Sequence, residues 1–319
     1  MHGVSLLARA SSFAGQVDRL LLFMLLLSAV IVLGVCTVLV WFAVKYRRGS
    51  PADRSGDASR SIGIELTWTL LPLGIFLGLF VWSIELFARM ETPPADAQPV
   101  YVVARQWMWK AQHPGGQREI NQLHVPVGTP VKVLLTSEDV IHSFYVPAFR
   151  VKQDVLPDRY TELWFEATRA GRYRLYCSEF CGTDHARMGG TVVALLPAAY
   201  QAWLDGNAPA QGLAARGAAL FREHGCSGCH APGATVRAPP LDGVYGKPVP
   251  LADGTVVTAD ESYIRDSILL PGKQVVAGYA PVMPSFAGQI GEEDLQALIV
   301  YLQSRSAAAP DAAREGPAP

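Results

Sequence analysis

The sequence has little charge, and this shortage limits the functions that the chain could perform. Only 17% of its 319 residues are charged, and the formal net charge is -1. Because a chain without a basic field is not expected to bind nucleic acid, we expect no nucleic-acid partner. The length is sufficient for two or three domains.

Cysteine is also scarce, and its distribution argues against a disulfide-rich fold. Of the five cysteines, Cys36 lies alone in an apolar run, and the others form the close pairs Cys177/Cys181 and Cys226/Cys229. We interpret Cys36 as an inert apolar side chain. An oxidising compartment would permit disulfides, but the spacing and the neighbours of both pairs favour cofactor sites.

Charge is absent from two long apolar runs, Leu20–Val44 and Leu66–Ile84. Since a helix of about 20 apolar residues spans a bilayer core, these runs predict a transmembrane helical hairpin over residues 20–90. A membrane helix tolerates Pro72, which lies in the second run. A cleaved signal peptide is the alternative for the first run, but this run is too long and no small-residue cleavage site follows it.

The distribution of cations predicts the orientation in the membrane. The N-terminal tail, residues 1–19, contains Arg9 and Arg19, and the loop between the apolar runs contains Lys45, Arg47, Arg48, Arg54 and Arg60. The positive-inside rule therefore places the loop in the cytoplasm of a bacterial cell. Both chain ends, and everything after about residue 90, should lie on the periplasmic or equivalent outer side of the inner membrane.

A β-rich domain is predicted over residues 91–205, after a proline-rich joint. Short runs rich in β-branched and aromatic residues are separated there by Gly, Pro, Asn and Asp. These runs are Val100–Ala104, Val131–Thr136, Tyr160–Glu166, Tyr173–Cys177 and Thr191–Leu196. The pattern predicts an antiparallel sandwich or a Greek-key barrel.

Helical patterns return towards the C-terminus. A short helix at Ala198–Leu204 and a small-residue linker, residues 206–212, precede an all-α domain predicted over residues 213–305. Its predicted helices are Ala214–His224, Asp260–Leu269 and Glu292–Gln303. The last residues, 306–319, are rich in Ala and Pro and are predicted to be disordered.

The sequence from Cys226 to His230 is Cys-Ser-Gly-Cys-His, which predicts covalent attachment of haem c. Two thiols at this spacing can add to the two vinyl groups of one haem, and the adjacent His then becomes the fifth iron ligand. A redox dithiol would need a βαβ setting, and a zinc site would need further ligands, whereas no His or Cys follows His230. Met283 is the candidate sixth ligand, with a core gap-filler as its alternative role.

The other cysteine pair belongs to a cluster of soft ligands, and these ligands favour copper. The cluster contains Cys177, Cys181, His185 and Met188, with His142 upstream. The thiolates could bridge two copper ions, each completed by one imidazole, with Met188 on one ion and the carbonyl of Glu179 on the other. A zinc site or a disulfide is the alternative, and ligand count alone does not exclude zinc.

Taken together, these motifs make the chain resemble cytochrome c oxidase subunit II of the kind that carries a fused C-terminal class I cytochrome c domain. The resemblance covers nearly the whole chain and implies a cupredoxin-like Greek-key fold for the β-rich domain. Besides the cysteine motifs, the segments that carry it are Glu65-x-x-Trp68-Thr69-x-x-Pro72, Gln106-Trp107-Met108-Trp109, residues 137–143, Pro239-x-Leu241 and Met283-Pro284.

The resemblance implies a binuclear CuA centre, and it matches the same ligands: His142, Cys177, Glu179 through its carbonyl, Cys181, His185 and Met188. It also implies that the side chain of Glu179 helps to bind magnesium at the interface with the catalytic subunit. Trp107 would be the point where electrons enter, whereas its neighbour Trp109 could equally be a buried aromatic. Glu65 would lie near a proton-uptake path, unless it simply reaches the headgroups.

Further positions are implied by the same resemblance. The carbonyl of Pro239 would orient His230, and Asp139, Asp154 and Arg159 would support the ligand loop or the partner subunit. Solvated surface charge is the alternative for these three side chains.

The implied function is that of the electron-accepting subunit of a terminal, proton-translocating cytochrome c oxidase. Electrons would pass from cytochrome c or a quinol–cytochrome c reductase through haem c to copper, and then to catalytic subunit I, with subunit III as a further partner. Because this chain has only seven histidines, oxygen reduction to water and proton pumping would occur in the partner, and the chain alone would be an electron conduit. The rivals are a nitric oxide reductase subunit and a membrane-tethered cytochrome with a structural zinc domain. A quinol oxidase subunit II would lack the cysteines.

Overall fold

The computed structural model describes residues 8–54, 61–209, 212–231, 234 and 238–307. Its first elements are two long helices, α1 (Ala14–Lys45) and α2 (Ile62–Glu91), whose apolar side chains are largely exposed. Both are long and apolar enough to cross a membrane. Helix α1 begins before the first apolar run, and α2 continues through Pro72. Most of the C-terminal tail, predicted to be disordered, lies outside the described residues.

The segment before α1 is bound to the β-rich domain. The backbone N–H of Ala10 donates to the carbonyl of Ala148 at 3.0 Å, and Thr168 donates to the carbonyl of Ala10 at 2.9 Å. Within the first turns of α1, the Asp18 carboxylate accepts a hydrogen bond of 2.8 Å from Arg150. These contacts fix the beginning of α1 against the base of the domain.

The end of α2 contacts the same part of the domain. The indole N–H of Trp164 donates to the carbonyl of Arg89 at 3.1 Å. The Trp164 ring also meets Phe13 edge-on, with centroids 4.7 Å apart. Because the start of α1 and the end of α2 both contact one domain, the chain crosses the membrane twice and returns to the side on which it began.

The β-rich domain is a sandwich of two five-stranded sheets, with strand orders β3-β2-β1-β5-β8 and β4-β10-β9-β6-β7. Its strands are β1 (Gln98–Arg105), β2 (Met108–Gln112), β3 (Arg118–Ile120), β4 (Gln122–Pro126), β5 (Pro130–Ser137), β6 (His142–Val146), β7 (Val151–Val155), β8 (Thr161–Glu166), β9 (Gly171–Cys177) and β10 (Gly189–Leu195). The sheets are mixed, because β1 with β5 and β4 with β10 pair in parallel. The predicted sandwich is therefore present, but it is not purely antiparallel.

The core of the sandwich lies between the sheets and follows strand alternation. In β1, Val100, Val102 and Ala104 point inwards and meet aromatic side chains such as Phe144 and Phe165. Burying a Val or a Phe of this kind contributes about 1.5–3 kcal/mol to the stability of the fold. This rigid core holds the strand ends that carry the candidate metal ligands.

The C-terminal domain is mainly helical, as predicted. Helix α3 (Pro197–Gly206) comes before the linker and packs on β4 and β10, and the helices of the C-terminal domain are α4 (Leu213–Glu223), α5 (Ser227–His230), α6 (Glu261–Leu269) and α7 (Glu292–Ala307). A small hairpin, β11 (Pro248–Pro250) with β12 (Val256–Thr258), is an addition that the sequence pattern did not predict. A Cβ on Gly217 would lie 2.0 Å from the carbonyl oxygen of Ala297, so only glycine lets α4 approach α7 this closely.

A buried polar cluster joins strands β3 and β4 to the end of β2. The Glu119 carboxylate contacts His113 Nε2 at 3.0 Å and His124 Nδ1 at 2.5 Å, and it accepts the backbone N–H of His124 at 2.8 Å. The ring of Trp203 in α3 stacks on His124, with centroids 4.4 Å apart. Burial by itself would raise the pKa of Glu119, but the hydrogen bonds from His113 and His124 outweigh it and lower the pKa to about 2.

Glu119→Gln is expected to destabilise the β-rich domain. The depressed pKa means that this carboxylate stabilises the fold above its ordinary value of 4.5 and loses that effect as the pH falls towards 2. We expect a loss of about 2 kcal/mol at pH 7, or a fall in melting temperature of about 5–10 °C. Thermal unfolding of the full-length chain in detergent would measure it.

The matched control for this experiment is Glu162→Gln. Glu162 is exposed, and its carboxylate lies 3.8 Å from Lys132, so the change should cost at most about 0.5 kcal/mol. Equal melting temperatures for the two variants at pH 7 would show that the Glu119 cluster does not stabilise the fold.

Candidate metal and cofactor sites

The soft side chains singled out in the sequence lie together at one end of the sandwich. Cys177 ends β9 and His142 begins β6, and these strands pair in the second sheet. The loop between β9 and β10 supplies Cys181, His185 and Met188. The ligand atoms of His142, Cys177 and Cys181 all lie within 4.8 Å of one another.

Sulfur atoms form the centre of this cluster. The two Sγ atoms of Cys177 and Cys181 are 3.7 Å apart. On one side, Cys177 Sγ lies 3.9 Å from His142 Nδ1, and on the other side Cys181 Sγ lies 3.4 Å from His185 Nδ1. Each thiol therefore has its own imidazole, as a pair of metal ions bridged by two thiolates would require.

The remaining candidate ligands, a thioether and a carbonyl, each lie beside one of the two cysteines. Met188 Sδ lies 3.7 Å from Cys181 Sγ, and the carbonyl oxygen of Glu179 lies 3.3 Å from Cys177 Sγ. The Glu179 side chain is exposed. Two thiols, two imidazoles, a thioether and a carbonyl form a set, buried at His142, Cys177, Cys181 and Met188, whose softness suits copper.

The thiols do not have equal proton affinities. Burial favours the neutral thiol of Cys177, but hydrogen bonds from His142 and from the backbone N–H groups of Ser143 and Glu179 outweigh this and lower its pKa. Burial, followed by the charge of the nearby Cys177, raises the pKa of Cys181. Since a thiolate is the metal-binding form, these shifts make Cys177 the more readily ionised of the two candidate ligands.

Asp139 fixes the orientation of a ligand ring. Its carboxylate contacts His142 Nε2 at 2.8 Å and accepts the backbone N–H of Gln106 at 2.8 Å. With Nε2–H directed at Asp139, the Nδ1 atom of His142 is left to face the sulfur atoms. Burial opposes ionisation of Asp139, but the hydrogen bonds from Gln106 and His142 prevail and lower its pKa.

Both tryptophans of the aromatic segment touch the cluster, in different ways. The indole N–H of Trp107 donates to the carbonyl of Cys181 at 3.3 Å. Trp109 is buried, and its ring meets the His142 ring edge-on at a centroid distance of 6.1 Å. Trp109 is therefore a core aromatic that also contacts a candidate ligand.

Two nearby residues make contacts that the sequence motifs did not predict. The Gln106 amide donates to the carbonyl of Cys181 at 2.8 Å. Gly182 has a φ of +116°, and a Cβ there would lie 2.8 Å from Gln106 Nε2. The ligand loop can therefore approach the β1–β2 turn only with glycine at this position. The sequence signal was the Cys-Gly pair at 181 and 182.

The other polar positions lie further from the ligands. Asp154 accepts a hydrogen bond of 2.8 Å from Ser143, the neighbour of His142, so it supports the start of β6. Arg159 is exposed. Glu65 lies in the first turn of α2, far along the chain from the ligand loops and at the opposite end of the helix from the β-rich domain.

The haem-attachment motif lines an apolar crevice in the helical domain. Cys226, Cys229, His230 and Met283 all line the crevice, whose volume is 380 Å³. Apolar side chains form most of the remaining wall: Phe221, Leu241, Ile264, Leu298 and Leu302. This size and character are those of a site for an organic cofactor, for which about 300–1,000 Å³ is usual.

His230 has a fixed ring orientation. Its Nδ1 atom lies 3.0 Å from the carbonyl oxygen of Pro239, the position that the resemblance implied. When Nδ1–H donates to this carbonyl, Nε2 keeps its lone pair and is available to a metal. The thiol pair, the oriented imidazole and the apolar walls fit a haem.

Comparisons with known proteins agree with this geometry along the chain. Three family models match in succession: the transmembrane domain of cytochrome c oxidase subunit II over residues 2–86, its periplasmic domain over residues 100–195, and cytochrome c over residues 214–306. Cytochrome c oxidase subunit 2 of Alkalihalophilus pseudofirmus is 33% identical over 300 residues, which cover 86% of this chain and 84% of that protein. This chain belongs to the cytochrome c oxidase subunit II family.

Two other similarities cover shorter parts of the chain. Cytochrome c oxidase subunit 2 of Cereibacter sphaeroides is 34% identical over 61% of this chain and 77% of that protein. The solved periplasmic domain of cytochrome oxidase subunit II from Bradyrhizobium japonicum is 30% identical, with a TM-score of 0.35, and covers 36% of this chain and 96% of that domain.

Membership of the family confirms the resemblance and the broad fold predicted from the sequence. The chain is a membrane-anchored subunit of an oxidoreductase complex, the haem–copper terminal oxidase, and its β-rich and helical domains lie on the outer side of the membrane. Its partners are other oxidase subunits. The periplasmic domain of this family implies copper, and the cytochrome c domain implies haem.

Proposed function

We propose that this subunit accepts electrons from an external donor and conducts them through haem c and a pair of copper ions to catalytic subunit I. The observation that carries the proposal is the arrangement of the ligand loop, in which two thiols 3.7 Å apart each have an imidazole on their outer side. Oxygen reduction to water and proton pumping would occur in subunit I. Haem and copper, when bound, supply the one-electron chemistry.

The residues around the copper pair would hold it rigidly and keep water away. The pair would be held by the thiolates of Cys177 and Cys181, the imidazoles of His142 and His185, the thioether of Met188 and the carbonyl of Glu179. His142, Cys177, Cys181 and Met188 are buried. Because buried ligands need not reorganise with solvent, the site would exchange electrons at low cost. Asp139 would prevent the His142 ring from turning.

The helical domain would hold haem c covalently. Cys226 and Cys229 would form the thioether links, His230 would be the fifth ligand and Met283 the sixth. The hydrogen bond from His230 to Pro239, at 3.0 Å, supports the fifth ligand. His/Met ligation gives a higher reduction potential, which suits a carrier that accepts electrons from a cytochrome.

Several finer assignments belong to the same proposal. Cytochrome c or a quinol–cytochrome c reductase would be the donor, with Trp107 as the residue nearest to the point where electrons enter the copper centre. The exposed carboxylate of Glu179 would help to bind magnesium at the contact with subunit I. Glu65 would serve proton uptake from the cytoplasmic side, and subunit III would be a further partner.

A metal inventory of the purified full-length chain, free of the other subunits, tests the proposal. We expect two copper ions for each haem iron, together with a near-infrared copper band. In the assembled complex, reduced cytochrome c should support oxygen consumption. One zinc and no copper in the isolated chain would refute the copper assignment and favour the tethered cytochrome with a zinc domain.

A further inference from the structure

The outer face of the first sheet is buried, although it points away from the sandwich core. Tyr101 and Val103 in β1 and Leu134 in β5 alternate with the core residues, yet they are only 0%, 1% and 3% exposed. They do not belong to the cluster that fills the sandwich. An antiparallel or mixed sheet with one free face usually places polar side chains there. Something other than the second sheet therefore covers this face.

The helical domain provides the cover. Helix α7 contacts β1, and Gln303 Oε1 in α7 lies 3.5 Å from the Tyr101 hydroxyl. Tyr160, just before β8, packs against the apolar core of the helical domain. The Arg265 guanidinium of α6 lies 5.7 Å from the centre of the Tyr160 ring. The helical domain therefore contacts both the central strand β1 and the segment that leads into the edge strand β8.

The charges across this contact have opposite signs. Lys110 and Arg118, in β2 and β3, lie 3.2 Å and 3.3 Å from the Glu293 carboxylate of α7. Lys132 of β5 lies 3.7 Å from Glu261 of α6. Each such pair contributes only about 0.2–1 kcal/mol, so the buried apolar face supplies most of the stability and the charges fix the orientation.

The contact lies one strand away from a candidate copper ligand. In β2, Lys110 points outwards to Glu293, whereas its neighbour Trp109 points inwards and meets the His142 ring. Helix α7 likewise takes part in two sites. Its Glu293 pairs with Lys110 of the sheet, and its Leu298 lines the haem crevice. The docked domain therefore adjoins the copper site through strand β2, and also through Glu138, the neighbour of Asp139, which lines a pocket together with Glu293.

The docked position leaves the haem crevice accessible to a donor. Val282, the neighbour of Met283, is 61% exposed. The exposed rim between residues 280 and 284 carries no charge. A donor can therefore approach the crevice while α6 and α7 remain on the sheet.

We propose that the haem domain transfers electrons while it is docked, and that the outer face of β1, β2 and β5 is its permanent docking surface. Electrons pass between the helical domain and the copper site without movement of the domain on its linker. The electron-transfer part rests on the proposed function, whereas the docking does not.

Zero-length cross-linking with a carbodiimide tests the docking in the full-length chain loaded with copper and haem. Lys110 and Glu293, 3.2 Å apart, should become joined by an amide bond, which mass spectrometry of the peptides would identify. Glu293→Gln, treated in the same way, is the matched control because it keeps the shape but not the carboxylate. Absence of the Lys110–Glu293 link from the unmodified chain would overturn the docking.

The rate of copper reduction after flash reduction of haem c tests whether electrons are transferred in the docked position. The cross-linked chain should keep the rate of the treated control within about twofold. Insertion of ten Gly/Ser residues after Ala208 should also leave the rate unchanged, whereas a freely tethered domain would lose about fourfold through its lower effective concentration. Loss of transfer on cross-linking, or a fall on insertion, would overturn the proposal. No transfer in any variant, including the untreated chain, would instead refute the proposed function.

Discussion

Cys181→Ser is expected to abolish the near-infrared copper band and to leave the haem c absorbance unchanged. Cys181 Sγ lies 3.7 Å from Cys177 Sγ, 3.4 Å from His185 Nδ1 and 3.7 Å from Met188 Sδ, so it is the atom shared by both halves of the site. A serine hydroxyl is a hard donor and does not replace a bridging thiolate. Copper affinity should fall by at least about 100-fold.

The haem domain should be unaffected because it has its own apolar core, which includes Leu220, Leu295 and Ile299. Absorption spectra and metal content of the purified variant would measure both effects at once. Cys36→Ser is the matched control, since Cys36 lies in α1 and is exposed on it. Retention of the copper band in Cys181→Ser would contradict the assignment of this ligand, and loss of both spectra would show that the two domains are not independent.

The ligand loop could be predicted from the sequence because its donors are close in the chain. Cys177, Cys181, His185 and Met188 follow one another at short spacings, so a single loop must bring them together. His142 is different, since it joins them only through the pairing of β6 with β9. Its position followed from the family motif and not from spacing.

The docking surface of the haem domain was not predicted, although the sequence contains a signal for it. Val100–Ala104 is apolar at every position, which indicates a strand buried on both faces. The apolar run predicts a strand, but a sequence does not show which element lies on the second face of that strand. The element on the second face is α7. It contacts the sheet through residues that include Glu293 and Gln303, and these polar side chains form no apolar pattern from which the contact could be predicted.

Tertiary contacts also explain the other differences between prediction and structure. Helix α1 begins at Ala14, before its apolar run, because the segment that precedes it is held by the β-rich domain. The Glu119 cluster joins residues from three strands, and neither His113 nor His124 had a motif. Isolated polar residues of this kind acquire a role only when strand register brings them together.

Met283→Leu is expected to lower the reduction potential of haem c and to remove its iron–sulfur absorption band, while the haem stays attached. The thioether links would come from Cys226 and Cys229, which lie in a different segment of the chain, so they do not depend on Met283. Leucine has a similar volume and keeps the packing. Because a Met ligand raises the potential and axial ligands as a group span about 0.8 V, a fall of about 0.1 V is a modest expectation.

A fall of about 0.1 V would reduce the equilibrium transfer of electrons from the donor about 50-fold, since 59 mV corresponds to a factor of ten for one electron. Oxygen consumption by the complex with reduced cytochrome c should therefore fall at least about tenfold, with the near-infrared copper band unchanged. Met24→Leu is the matched control, because Met24 is exposed on α1. If Met283→Leu kept both the band and the potential, the iron would have another sixth ligand, for which His224, which also lines the crevice, is the first candidate. The crevice would then bind haem with a different segment against the iron.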